Sequence, residues 1–252
     1  MTFNLCKTLR ILLIYLCCFV LVWQLALEWL QLPNFLLPSP LDVFQALHDN
    51  ADILWHNTLV TCYEIALSLF FGVGFGILFA LVMLYIPKLQ QWLEPVFIAS
   101  QSIPTFAIAP LIILWFGFGV ASKVIIASLL IFFPMTVSTY QGLAQTPKGY
   151  LDLAQTMNTS RWHELRHIRF PSALPMIAAG LKVAVAVAPI GVVIGEWSGA
   201  SEGLGHYMMY SNGRMEVAEM FAGLIILSLC SVSLYYGTQA LLKRVLHWVD
   251  NP

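Results

Sequence analysis

His163-Glu164-Leu165-Arg166-His167 places two imidazoles four residues apart with a carboxylate beside the first. On a helix both rings share one face, as two ligands of one zinc ion must. The string has no identified third ligand: His48, His56, His206 and His247 are scattered. The cysteines (Cys6, Cys17, Cys18, Cys62 and Cys230) show no Cys-x-x-Cys spacing and read as small membrane-buried hydrophobes. No metal site is assigned. Glu64 and Glu196 fall at or near membrane depth, where a carboxylate must be paired, hydrated or protonated. A water-filled pathway would hydrate them, and a position at the outer interface would do the same for both. Lys182, inside an apolar run, reads as snorkelling to the inner surface. The sequence has no Gly-x-x-x-x-Gly-Lys-Ser/Thr phosphate loop, so ATP hydrolysis belongs to another subunit.

The elements that must position these residues are apolar and long. Of 252 residues, 59% are hydrophobic and 10% charged, against about 25% charged in a soluble domain. The net charge of −1 lacks the basic footprint of a nucleic-acid binder. Runs of spanning length recur at 11–30, 58–86, 95–117, 122–142, 173–195 and 217–242. Helices alone bond every amide internally across so much hydrocarbon. The fold class is therefore all-α, a polytopic membrane protein with about six transmembrane helices. The third run is interrupted by Pro95, Pro104 and Pro110, and is either kinked or partly re-entrant. The first follows Lys7 and Arg10 without a small-residue cleavage site, so residues 1–35 are expected to keep an N-terminal transmembrane helix ahead of a domain at 36–252.

Charge then sets orientation. One side collects Lys7, Arg10, Lys88, Lys148, Arg161, Arg166, Arg169, Lys243 and Arg244, and the other only Lys123 and Arg214. By the positive-inside rule both termini are cytoplasmic. The loop at 143–172 is then cytoplasmic as well, and it carries a pattern of its own. Tyr150, Leu153, Ala154 and Met157 recur at helical spacing. Asn158 suits a left-handed helix end and Ser160 a following N-cap. Trp162, Leu165 and Ile168 form a second stripe that Pro171 is expected to close. Two short amphipathic helices cannot bury both faces alone, so they require a partner protein or the lipid surface.

Asp152-Leu-Ala-Gln-Thr-Met-Asn158, followed by Ile168-Arg-Phe-Pro171, resembles the EAA motif of binding-protein-dependent ABC importer permeases. The family pattern is Glu-Ala-Ala, three residues, Gly, about nine residues and Ile-x-Leu-Pro. Asp152, Leu153, Asn158 and Phe170 depart from it, while the spacing is kept. Leu37-Pro-Ser-Pro40, Ser102-Ile-Pro-Thr-Phe-Ala107, Pro110 to Gly119 and Glu196 to Gly205 resemble the nitrate/sulfonate/taurine branch. Gly195 to Ala200 and Asn212 to Met215 look closest to permeases for pyrimidine precursors of thiamine. The resemblance implies a helix–turn–helix seated in a cytoplasmic ATPase through Asp152, Ala154, Met157, Asn158, Trp162, Leu165, Ile168 and Pro171. It implies ATP and Mg on that ATPase and no cofactor on this chain. It further implies a homodimer with two ATPase subunits and an extracytoplasmic substrate-binding protein, set in the bacterial cytoplasmic (inner) membrane. The expected cargo is a small polar solute, a hydroxymethylpyrimidine-type thiamine precursor ahead of a sulfonate, taurine or nitrate.

Gly72-Val-Gly74-Phe-Gly76 permits close helix approach in the second run. Pro189-Ile-Gly191-Val-Val-Ile-Gly195 combines a break with a small-xxx-small face, a hinge that movement at Trp162 would reach through one short lever. Glu64, Pro189, Gly191, Glu196 and Trp197 are the residues expected along a translocation pathway. An ion-gradient transporter is the alternative of a different class, for which Glu64 and Glu196 are the available intramembrane ligands.

Overall fold

The computed structural model describes residues 20–31, 33–86 and 103–248, together with 14, 17, 18, 92 and 95. Among these residues the secondary structure is helical, with no strand. The helices are α1 (Val20–Leu30), α2 (Pro40–Asp49), α3 (Ala51–Tyr85), α4 (Thr105–Phe116), α5 (Val120–Ala144), α6 (Lys148–Thr156), α7 (Arg161–Glu164), α8 (Phe170–Trp197), α9 (Leu204–Gly213) and α10 (Val217–Val245). Helix α7 runs through one π turn, Leu165–Arg169, into α8, so Arg161–Trp197 is a single element of 37 residues.

Four elements are long and apolar enough to cross a bilayer: Ala51–Tyr85, Val120–Ala144, Arg161–Trp197 and Val217–Val245. They correspond to the second, fourth, fifth and sixth runs of the sequence. The first and third runs are described only as α1 and α4, and the rest of 11–30 and 95–117 lies largely outside the described residues. Helix α3 begins at Ala51, well before the hydropathic start at 58, and reaches 35 residues. At 1.5 Å per residue that is about 52 Å, longer than the roughly 30 Å of hydrocarbon. Its first turns therefore carry Asp52, His56 and Asn57 beyond the apolar band.

Local chemistry explains the entry to α3. Ser39 Oγ accepts from the Asp42 amide at 3.1 Å, while Asp42 Oδ2 accepts from the Ser39 amide at 3.2 Å. With Pro40 in the first turn this reciprocal cap starts α2, inside the Leu37-Pro-Ser-Pro40 string. Val43 and Ala46 of α2 then pack with Leu54, Leu204, Tyr207 and Ala222. Glu219 of α10 gathers Asn50 Nδ2 at 3.2 Å, Tyr207 OH at 3.2 Å and Ser211 Oγ at 3.1 Å. Burial and the neighbouring Glu219 push the Tyr207 phenol above its ordinary range, which keeps it a donor.

The core is a three-helix stack in which α5 lies against both α3 and α8. Ile65, Ala127, Ile131, Ala184, Ala188 and Val192 fill its middle. Small residues set the spacing, because helices in lipid associate by close packing rather than by hydrophobic exclusion. A Cβ on Gly72 would lie 2.6 Å from Ile131 Cγ2, and one on Gly191 would lie 2.7 Å from the Ala127 Cα. Gly76 meets Met135 in the same way, whereas Gly74 faces open space and takes no part.

Two expectations are corrected. Pro171 does not close the stripe that begins at Trp162; it follows the π turn directly as the second residue of α8, and the helix continues through it. Pro189 does not break the fifth run. It lies buried within a continuous helix whose neighbours hold the segment that lost one backbone bond. Lys123, counted among the outer-side charges, occupies the first turn of α5 and is buried. The path from Trp162 to Pro189 is thus one long helix without a break.

The packing makes a paired prediction. Gly191→Ala drives a methyl into the α5 backbone and is expected to destabilise the protein by about 1–3 kcal/mol, the usual cost of overpacking. Gly74→Ala is expected to be neutral or slightly stabilising, by up to about 1 kcal/mol from helix propensity. Thermal denaturation of the two purified variants in one detergent checks the order; equal melting temperatures would contradict it.

Candidate functional site

Two assemblies of polar and apolar side chains stand out, one at each end of the three-helix core. The first is the elbow formed by α6, α7 and the π turn. Helix α6 ends where Asn158 adopts φ 53°, the left-handed conformation that Asn tolerates better than most residues. The Thr159 amide then reaches back to the Ala154 carbonyl at 3.0 Å. Ser160 follows in extended backbone and its Oγ accepts from the His163 amide at 3.4 Å. Both turn residues thus hold the geometry that their types imply.

The apolar stripes divide between two faces. Ala154 and Leu165 point inward and are buried, Leu165 among Met135, Leu143, Ala173 and Ile177. Ile168 is half-buried, while Asp152, Asn158 and Pro171 are exposed. Tyr150, Leu153, Met157 and Trp162 point outward, each 58–69% exposed. Four large apolar side chains uncovered on two adjoining short helices form a face without a partner among the described residues. His163 and His167 stack at 5.5 Å on the solvent side. Glu164, the carboxylate of the zinc-like string, is committed instead to Arg169 at 2.6 Å.

The second assembly closes the opposite end of the core. Lys123 Nζ donates to Glu64 Oε1 at 2.5 Å, with the two side chains 8% and 0% exposed. Glu196, at the last turn of α8, accepts from Thr61 Oγ1 at 2.7 Å and from the Gly205 amide at 2.5 Å. The Leu204 amide donates to Thr61 Oγ1 at 2.8 Å, and the Gly203 amide to Asn57 Oδ1 at 2.7 Å. These side chains thereby satisfy successive free amides at the start of α9. Gly203 sits at φ +116°, and a Cβ there would fall on the Glu196 carboxylate. Only glycine meets both demands.

This end joins α3, α5, α8 and α9 through buried charge and hydrogen bonds. A buried ion pair contributes little net stability, but removing one partner costs about 3–5 kcal/mol. Glu64, Pro189, Gly191 and Glu196 are all buried within the chain, and Trp197 alone of the expected pathway residues is exposed, at 45%. Sequence reasoning did not single out Lys123, Thr61, Asn57, Gly203 or Gly205. The available signal was a lysine and a glutamate at comparable depth in different runs, with a Glu-Gly-Leu-Gly string beyond Glu196. Lys182 is half-buried midway along α8.

Comparison with known proteins agrees with the fold. Residues 72–247 match the family model described as binding-protein-dependent transport system inner membrane component. A probable ABC transporter permease protein of Haemophilus influenzae is 46% identical over 89% of this chain and 92% of its own length. The formylaminopyrimidine transport permease protein ThiX of Halalkalibacterium halodurans is 34% identical, covering 91% of this chain and 92% of its own. The riboflavin transport system permease protein RibX of Chloroflexus aurantiacus is 33% identical, covering 96% and 88%. Among solved structures, an inward-facing conformation of the MetNI methionine ABC transporter shares the fold with a TM-score of 0.67 at 18% identity, over 78% of this chain and 98% of that one. The chain therefore belongs to the binding-protein-dependent transport system inner membrane components, the permease subunits of ABC importers, and is a multi-pass inner-membrane protein.

Proposed function

We propose that this permease works as a homodimer that moves a small heteroaromatic solute, of the aminopyrimidine type, into the cytoplasm. Two cytoplasmic ATPase subunits bind and hydrolyse ATP with Mg, and an extracytoplasmic binding protein delivers the ligand. Both termini are cytoplasmic in this reading, which puts the elbow on the ATPase side and the Lys123–Glu64 cluster on the outer side. The single observation that carries it is the outward face of Tyr150, Leu153, Met157 and Trp162, presented on the element that continues to Trp197. Covering a side chain such as Leu153 or Met157 contributes about 1.5–3 kcal/mol. A groove on the ATPase would supply that cover.

The pyrimidine assignment rests on resemblance to ThiX together with the strings at 195–200 and 212–215. RibX, nearly as similar, favours the broader heteroaromatic class over a sulfonate anion. Within the membrane, solute passes between two copies rather than through one, in keeping with the burial of Glu64, Pro189, Gly191 and Glu196 inside a single core. These four are assigned to the wall behind the pathway, and Trp197 to its exposed rim. Asp152, Ala154, Asn158, Leu165, Ile168 and Pro171 shape and seat the elbow, while Met157 and Trp162 make its contact.

Trp162→Ala is expected to weaken ATPase association about 30-fold, from the roughly 2 kcal/mol that a buried interface tryptophan supplies. Asp152→Ala should weaken it less, and both variants should insert normally in the membrane. Pull-down of the ATPase with each purified permease measures this, and undiminished recovery with Trp162→Ala would refute the docking. For the cargo, cells carrying the complete transporter should take up labelled formylaminopyrimidine or hydroxymethylpyrimidine, with unlabelled pyrimidine competing and taurine not. Uptake should stop on ATP depletion and survive collapse of the ion gradients. Competition by riboflavin or taurine alone would reassign the substrate, and the reverse energy dependence would support a gradient-driven carrier.

A further inference from the structure

The elbow meets the core at one side chain. Arg169 is the last residue of the π turn, where the helical register widens by one residue. Its Nε donates to Glu164 Oε1 at 2.6 Å, bridging the turn from within. Its Nη1 donates to the Leu143 carbonyl at 3.3 Å. Leu143 belongs to the last turn of α5, whose final carbonyls have no intrahelical donor. A cation there also meets the negative end of the helix dipole. Thr146 Oγ1 donates to the same carbonyl at 3.0 Å, and Thr146 is buried. On its other side Arg169 borders a cavity of about 510 Å³ with Leu84 and Tyr85 at the end of α3, and with Gln155 and Arg161 of the elbow. The Arg169 side chain, only 23% exposed, therefore joins the elbow to the end of α5 and shares a cavity with the end of α3.

We propose that Arg169 is the positioning residue that ties the ATPase-facing elbow to the end of α5, so that elbow, α5 and α8 move as one body during ATP turnover. The inference rests on the docking of the elbow given under Proposed function. Without Arg169 the elbow would still present Leu153, Met157 and Trp162 outward, because Asn158 and Ser160 fold it locally. The π turn would lose its internal bridge and its link to α5, and a displacement of the elbow would be absorbed at residues 165–169. Lysine is a poor replacement, since a single ammonium lacks the planar fork that reaches two acceptors at once.

The test uses the full transporter, permease with its ATPase, in proteoliposomes. The five cysteines of the chain are replaced by serine, and Ser201→Cys is added in the exposed loop beyond α8 as a reporter at the opposite end of the core. The measurement is the rate of labelling by a membrane-impermeant maleimide, without nucleotide and with ATP trapped by vanadate. The parent is expected to change labelling rate about fivefold or more between the two states, and Arg169→Ala to compress that change about threefold or more, the effect of losing a coupling contact. Arg169→Lys should resemble Arg169→Ala, with ATPase recovery and membrane insertion unchanged in both. A full nucleotide-dependent change in Arg169→Ala would overturn the proposal. So would loss of the ATPase from Arg169→Ala, which would make the residue part of docking, and so would a parent whose labelling ignores nucleotide. Trp162→Ala run in parallel reports on docking by itself: if it retains the ATPase, the elbow reading fails independently of Arg169.

Discussion

An unbroken helix is the constraint on which the rest depends. Arg161–Trp197 begins on an elbow outside the core and ends in a buried carboxylate at the far side of it. Backbone bonds within a helix resist bending, and proteins usually hinge at loops or element ends. Neither Pro175 nor Pro189 interrupts the run. Whatever displaces Trp162 therefore acts on Glu196 through one rod, with the π turn as its single irregularity.

The two ends of that rod are built from opposite materials, and each suits its place. At the elbow, large apolar side chains are uncovered and polar groups fix the turns, as a surface awaiting a protein partner requires. At the far end the charges are uncovered to nothing: Lys123 lies against Glu64, and Glu196 against Thr61 and the Gly205 amide. Burying charge this deeply is tolerated only with partners in place, and the partners come from different helices. The cluster thereby fixes the relative depth of α3, α5, α8 and α9. Between the ends, contacts at Gly72 and Gly191 let the helices pack backbone to backbone and leave little freedom to slide independently.

Much of this was readable in the residues. Span-length hydropathy located four helices, because lipid imposes the same length and polarity on each of them. Asn158 and Ser160 announced the elbow, since caps and left-handed turns depend on the residue at the position and little else. Gly72 and Gly191 announced close packing. What escaped was long-range. Lys123 counts in the sequence as an outer-side charge at the edge of the fourth run; its burial depends on Glu64, 59 residues away. The role of Thr61 and Asn57 depends on amides at 203 and 204, which no local pattern announces. Pro171 and Pro189 misled for a related reason. A proline breaks a helix that stands alone, while one held by neighbours, or placed directly after a π turn as Pro171 is, continues.

The most direct test of the central claim is a contact measurement in native membranes. With cysteine introduced singly at Leu153, Met157 and Ser201, a short thiol-to-amine crosslinker should join the first two positions to the cytoplasmic ATPase and leave the third unattached to it. Crosslinks to the ATPase from position 201, or labelling of positions 153 and 157 by impermeant reagents added outside intact cells, would contradict the account.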